Sequence, residues 1–323
     1  MSSVVSRFIL INVLVAGSMA AGYLGRRLFG LSERLAHRCM WFVVVIGYSL
    51  VGLLAVWTWP LQASDLGLPV LAFVYICGCT LAALGIGRLI SRDRQAAGLI
   101  GLAGGMGNAS FTMGGFLCYV FFGGQGLSLT AIYCLMWYPF VVLVAYPIAH
   151  HCTAGHAAPM SLGRLMWRSV WDVRSVGLPL TLAGLALSAA RVPRPALIDT
   201  LRVTEALTIG TTVLAFFAVG LRLRGEELRL ALAPSAVVGA VRFVLCPLIG
   251  LGVYHASRLT PWPLGGLAGE VFLVETCLPV AVTVVGIANL FELSPRRATA
   301  LFILNTLAYL VLCVPVLAWI FAR

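Results

Sequence analysis

Apolar residues run in long blocks, each about the length of one membrane crossing and each cut off by a short cluster of arginine, proline or glycine. A spanning helix needs about 20 such residues to cross roughly 30 Å of hydrocarbon. Cutting the chain at those clusters predicts ten helices, near 8–25, 39–59, 66–87, 96–123, 127–149, 173–190, 203–221, 231–254, 264–290 and 298–321. Two of these blocks are interrupted. The fourth carries Gly107-Asn108-Ala109-Ser110-Phe111-Thr112-Met113-Gly114-Gly115, and the ninth carries Glu275-Thr276-Cys277-Leu278-Pro279. Polar or helix-breaking runs at membrane depth, in corresponding halves of a chain, point to a transporter's binding site. No long polar tail, linker or low-complexity tract remains, so one integral unit without a soluble catalytic attachment is expected.

The blocks also repeat. Sliding the chain on itself by 168 residues lays the first helix on the sixth and carries Arg26 to Arg194, Asn108 to Thr276 and Pro147 to Pro315. Residue identity at that offset is weak, and the match lies in the hydropathy blocks. Five helices per copy is an odd number, so the second copy must enter the membrane from the opposite side. The expected fold is an all-α integral membrane protein of ten helices, built as two inverted five-helix repeats over 1–150 and 151–323, with helices four and nine broken and crossing.

Composition agrees: 61% hydrophobic, 10% charged and a mean hydropathy of +1.00 make lipid the expected solvent. The net charge of +11 is carried by arginine alone. In a soluble protein that excess would suggest a nucleic-acid partner, but the arginines fall on one side. Alternate loops give one face Arg26, Arg27, Arg34, Arg38, Arg88, Arg92, Arg94, Arg164, Arg168, Arg174, Arg222, Arg224, Arg229, Arg296 and Arg297. The other face receives Arg7, Arg191, Arg194, Arg202, Arg258 and Arg323. The positive-inside rule makes the richer face cytoplasmic and puts both termini outside a cell (inner) membrane, with Trp57, Trp59 and Trp262 near the outer interface. The expected partners are therefore membrane lipid and a solute, with a homodimer left open and no nucleic acid.

The first helix follows Arg7 and ends near small residues, as a secretion signal would, but its apolar core is longer than a signal's and it has a counterpart in the second half. The nine cysteines are an odd number, scattered mostly inside helices, with neither a disulfide framework nor metal-ligand spacing. They are expected to be packing residues, and no cofactor is expected.

The breaks carry the candidate chemistry. Unwound backbone in hydrocarbon costs several kcal/mol per unpaired group, ~2–7 on transfer scales, unless it is buried in protein or lines a wet cavity. Half-helix amino ends attract anions and carboxyl ends attract cations. The candidate substrate-binding residues are Asn108, Ser110, Thr112, Gly114 and Gly115 on one break and Thr276 and Pro279 on the other. Ionisable residues inside the predicted spans include Glu205, Arg242 and Glu275. Glu275 and Arg242 are the ion-coupling candidates. Glu275 would carry a proton or hold a cation such as sodium, with a static salt bridge to Arg242 as the alternative. Glu205 and Glu270 are expected near the interface. A proline kink and tight glycine packing remain the structural alternative for both breaks.

These residues resemble a known family. Gly22-Tyr23-Leu24-Gly25-Arg26-Arg27, the run from Gly107-Asn108-Ala109 to Gly123-Gly124-Gln125-Gly126-Leu127, Arg242-Phe243-Val244-Leu245-Cys246-Pro247, and Leu278-Pro279-Val280-Ala281 followed by Ala298-Thr299-Ala300 look like the auxin efflux carrier family of membrane transport proteins. The resemblance implies a five-plus-five inverted repeat shared with bile acid sodium symporters, with crossing broken helices and a scaffold layer beside a transport layer. Two departures stand out. Family members usually carry prolines in the second helix and after the Gly-Asn motif in the fourth, where this chain has Gly47-Tyr48-Ser49-Leu50 and Gly114-Gly115. Glu275 also stands where a small apolar residue is expected.

The function expected is secondary transport of a small organic anion by alternating access around the crossover of helices four and nine, with proton coupling through Glu275. A ligand-binding sensor of the same fold and a passive channel are the alternatives. An intramembrane enzyme is disfavoured: the chain has neither a His-Glu-x-x-His nor a Gly-x-Ser-x-Gly motif. His37, His150, His151 and His156 are expected in loops and His255 at a helix end. The segment 161–175, with Trp167 and Trp171 beside Arg164 and Arg168, is expected to lie on the cytoplasmic surface as an amphipathic stretch.

Overall fold

The computed structural model describes residues 3–153, 163–164, 167, 172, 175–223 and 231–321. Regular structure among them is helical, apart from one isolated bridge between two chain breaks. The helices are α1 (Ser3–Phe29), α2 (Glu33–Trp57), α3 (Gly67–Ile90), α4 (Arg94–Gly105), α5 (Gly114–Thr153), α6 (Gly177–Ala189), α7 (Ala196–Thr200), α8 (Val203–Leu221), α9 (Leu232–Ser257), α10 (Gly266–Thr276), α11 (Val282–Leu290) and α12 (Pro295–Phe321). Seven helices among the described residues are long and apolar enough to cross a membrane, and α6 is a shorter apolar one. The stretch α5 holds two arms, because Gly123 takes a left-handed φ of 67° that a β-carbon would oppose.

The sign of burial is that of a protein dissolved in lipid. Leu89, Val311, Trp319 and Leu259 project outward, while Asn108, Thr112, Thr130, Thr276, Asn305 and two charged side chains, Arg242 and Glu275, are buried. A helix in hydrocarbon gains nothing by hiding leucine, so packing and polar contacts hold the interior together.

Two prolines shape the long helices. Pro147 and Pro247 each follow a five-residue π turn, Val141–Ala145 and Val241–Leu245. Proline lacks an N–H and collides with the carbonyl four residues back, and the wider turn relieves that collision. A third π turn, Val43–Gly47, has no proline. It lies in the second-helix region where the family resemblance led us to look for one.

The helices pair in a regular way. Helix α1 lies along α8 and α6 lies along α2, while α3 packs on α4, and α9 packs on both α10 and α3. The core fills the space among α3, α4, α5, α9, α10, α11 and α12. The fourth predicted block is resolved into α4 and the first arm of α5, and the ninth into α10 and α11. At one end of the bundle the Trp57 indole donates to the Val192 carbonyl (3.0 Å), the Trp59 indole donates to Asp65 (2.8 Å), and Trp262 packs on Gly67. Of the segment 161–175, Arg168, Trp171 and most neighbours lie outside the described residues, as does His156. His37 lies within α2, and His150 and His151 lie in the last turn of α5, so these three sit on helices and not in loops.

Candidate functional site

Helix α4 stops at Gly105 and α10 at Thr276, and the two loops that follow meet. Gly107 and Val280 form an antiparallel bridge, in which the Asn108 amide donates to the Pro279 carbonyl (2.8 Å) and the Ala281 amide donates to the Met106 carbonyl (2.8 Å). The broken helices therefore cross at their breaks. Each break lends the other the hydrogen bonds that unwinding removed, as backbone at membrane depth requires.

The guanidinium of Arg242, fully buried, completes this exchange. Its Nε donates to the Leu278 carbonyl (2.8 Å), which also accepts from Nη2, and Nη1 donates to the carbonyls of Gly105 (3.2 Å) and Gly104 (3.4 Å). In an uninterrupted helix those three carbonyls would accept from Val282, Asn108 and Ala109, four residues on. One side chain thus caps the carboxyl end of α4 and the start of the second break. Gly107 lies against it so closely that a β-carbon there would collide with the guanidinium.

Polar side chains gather on the other side of the first break. Ser110 and Thr112 each lie within hydrogen-bond reach of the Asn108 Oδ1 (3.3 Å each) and of one another (3.0 Å). The Tyr48 hydroxyl of α2 donates to Thr112 (3.0 Å) and accepts from Ser110 (3.2 Å). Asn108 and Thr112, both 2% exposed, line a small cavity of about 10 Å³ with Met40, Ala215, Phe216, Val219, Val282 and Phe302. That is roughly the room one water needs.

Val282 opens α11. The carbonyls one turn back that Val282 and Thr283 would have used, Leu278 and Pro279, are engaged by Arg242 and by the Asn108 amide. A half-helix amino end consequently borders the cavity. A larger concavity, about 700 Å³, lies between α1, Phe42 and α8. Its Ser18 and Thr211 hydroxyls are turned onto carbonyls of their own helices, Leu14 and Leu207, so it presents hydrocarbon and no binding chemistry.

Glu275 sits elsewhere in the crossover. Its Oε1 accepts from the Thr130 hydroxyl (3.2 Å) and lies near the Cys118 thiol (3.8 Å), while Oε2 is buried without a partner. The carboxyl group abuts the first turn of α5, where a β-carbon at Gly114 would strike it. The Gly114 and Gly115 amides are spent on the Asn108 carbonyl (3.1 Å) and the Ser110 carbonyl (3.2 Å).

Several expectations change in this light. Glu275 and Arg242 do not form an ion pair; the arginine faces backbone carbonyls, so the salt-bridge alternative is corrected. The Thr276 hydroxyl bonds the Leu273 carbonyl (2.7 Å) of its own helix and packs on Gly250, away from the Asn108 cluster. Glu205 pairs with Arg202 at the start of α8. Sequence inspection did not single out Tyr48, Thr130, Cys118 or Asn305, whose Oδ1 accepts from the Val280 amide (3.0 Å). Nor did it single out Tyr75, which donates to the Thr276 carbonyl (3.0 Å). Only Asn305, a lone amide in a hydrophobic block, offered a signal.

No curated protein matches the chain. Residues 167–320 match the family model described as membrane transport protein. That match, on a multi-pass helical chain with a buried polar crossover, belongs to a family of transporters and not of enzymes. Over residues 167–320 this chain is thus similar to the membrane transport protein family, that of the auxin efflux carriers.

Proposed function

We propose that the protein is a secondary transporter of a small organic anion, working by alternating access around the crossover of its broken helices. The observation that carries this is the buried cluster of Asn108, Ser110, Thr112 and Tyr48 at the first break, beside the amino end of α11 and a cavity of about 10 Å³. The hydrogen-bonded cluster of Asn108, Ser110, Thr112 and Tyr48 adjoins a half-helix end that favours negative charge. The cavity is too small for a carboxylic acid, so binding requires α2, α8 and the crossover to part. Motion of that kind suits a carrier whose scaffold (α1, α2, α6, α8) slides against its transport layer.

Pairwise packing supports ten spans in two inverted repeats, near 1–150 and 151–323. If α4 with the first arm of α5 is the fourth span and α10 with α11 the ninth, then the first span packs on the seventh and the sixth on the second. The third packs on the fourth and the eighth on the ninth in the same way. Exchanging the two halves maps each pair onto the other.

Substrate contacts fall to Asn108, Ser110 and Thr112, joined by Tyr48. Gly114, Gly115 and Pro279 shape the backbone, and Thr276 serves the fold of the break. Glu275 is the proton carrier: its Oε2 has room for a hydrogen and no competing cation beside it. Titratable neighbours around it are Cys118, Tyr133, Cys134 and Tyr309.

The test is a thermal-shift screen of small mono- and dicarboxylates on purified protein, since a true ligand stabilises by mass action. Counterflow of each hit in proteoliposomes follows. Asn108→Ala is expected to lose the ligand-induced shift while staying monodisperse, and Glu275→Gln to retain counterflow yet lose accumulation driven by a proton gradient. Binding without counterflow would instead identify a sensor. Hits unaffected by Asn108→Ala would place the site elsewhere.

A further inference from the structure

Carriers with broken helices can hold a coupling cation on unwound carbonyls and half-helix carboxyl ends. In this protein that place is taken. The carbonyls of Gly104 and Gly105 at the carboxyl end of α4, and that of Leu278 in the second break, converge on one positive group, the guanidinium of Arg242. Among the described residues no carboxylate is paired with it; its charge faces carbonyl dipoles, one of which, Gly104, also accepts from the Cys246 thiol (3.3 Å), an arrangement that a bound metal cation could share. The side chain is fully buried and comes from the π turn of α9, a different helix from either break.

We infer that Arg242 is a tethered cation, a positioning residue that permanently fills the crossover's cation site, so that neither sodium nor potassium is needed to hold the two breaks together. This rests on the transport assignment and extends it by removing the carbonyl cage as a place for a coupling metal cation. Its test needs no solute, so its failure is distinguishable from failure of the transport assignment.

Melting is followed in sodium chloride, potassium chloride, guanidinium chloride at low millimolar concentration, and N-methylglucamine chloride, whose cation is too large to enter. The wild type is expected to melt at one temperature in all four. Arg242→Ala, which vacates the carbonyl cage, is expected to melt lower in N-methylglucamine and to recover saturably, by roughly 5 °C or more, with guanidinium or sodium. Arg242→Lys keeps a charge and is expected to show no such recovery.

A wild type stabilised by sodium over N-methylglucamine overturns the inference. So does an Arg242→Ala protein that gains nothing from any of the three small cations, failure to fold in all of them included. An Arg242→Lys protein that responds to sodium as strongly as Arg242→Ala would overturn it too.

Discussion

Two buried charges in one crossover would ordinarily be assumed to neutralise each other, and here they do not. Arg242 donates to carbonyls of three residues, whereas Glu275 accepts from a hydroxyl and a thiol on one oxygen and has no partner on the other. The energetic consequences differ accordingly. Arg242→Leu strands the Gly105 and Leu278 carbonyls in the interior, while Gly104 keeps the Cys246 thiol; at ~1–3 kcal/mol per orphaned group the loss should reach ~2 kcal/mol or more. Glu275→Gln keeps an acceptor for Thr130 and adds one amide where Oε2 already lacks a partner, so a cost under ~1 kcal/mol is expected. The two effects should add to within ~0.5 kcal/mol in the double variant, because no direct interaction joins the side chains. Equilibrium unfolding in detergent checks this, and strong non-additivity would restore the ion pair.

At the scale of elements, the crossover depends on how closely two breaks and one arginine can approach. Gly107 stands where any β-carbon would meet the Arg242 guanidinium. Gly107→Ala should therefore destabilise by ~1–3 kcal/mol, an overpacking cost, even though alanine is otherwise compatible with the backbone there. Gly286 in α11 is the control, since a β-carbon there meets nothing within 4 Å. Gly286→Ala should be neutral or stabilising by up to ~1 kcal/mol through helix propensity. Comparing the two melting temperatures separates crowding at the crossover from a general intolerance of methyl groups. Equal losses would mean that the breaks are not held by this contact.

For the whole molecule, orientation follows from charge. The turn at Gly30 and that at Ser91 adjoin Arg26, Arg27, Arg34, Arg88, Arg92 and Arg94, whereas the loop with Arg191 and Arg194 carries fewer arginines. A cysteine introduced at Gly30 or Ser91 is expected to be shielded from an impermeant thiol reagent in intact cells, and one at Pro193 to react. The increment over the parent is the quantity to read, because nine native cysteines are present. The opposite pattern would invert the protein in its membrane. Equal labelling would break the ten-span arrangement.

The existence of the helices, their approximate ends and the two interruptions were legible in the chain because each is a local property. Twenty apolar residues in lipid have few choices but a helix, and Gly107 to Gly115 or Pro279 must disturb one wherever it lies. Asn108, Ser110 and Thr112 were visible for the same reason, as polar groups that hydrocarbon does not accept unpaired. Partnership was not local. Arg242 announced a buried charge, but only the meeting of α9 with both breaks, 36 and 138 residues away along the chain, decided that carbonyls and not Glu275 receive it. Tyr48 carried no local mark of a binding role until α2 was laid against the first break. Thr276 looked like a ligand until its hydroxyl turned back onto Leu273. Sequence determined which groups needed a partner; the tertiary structure decided which partner each received, since a buried hydrogen bond depends on distances of about 3 Å that hydropathy does not encode.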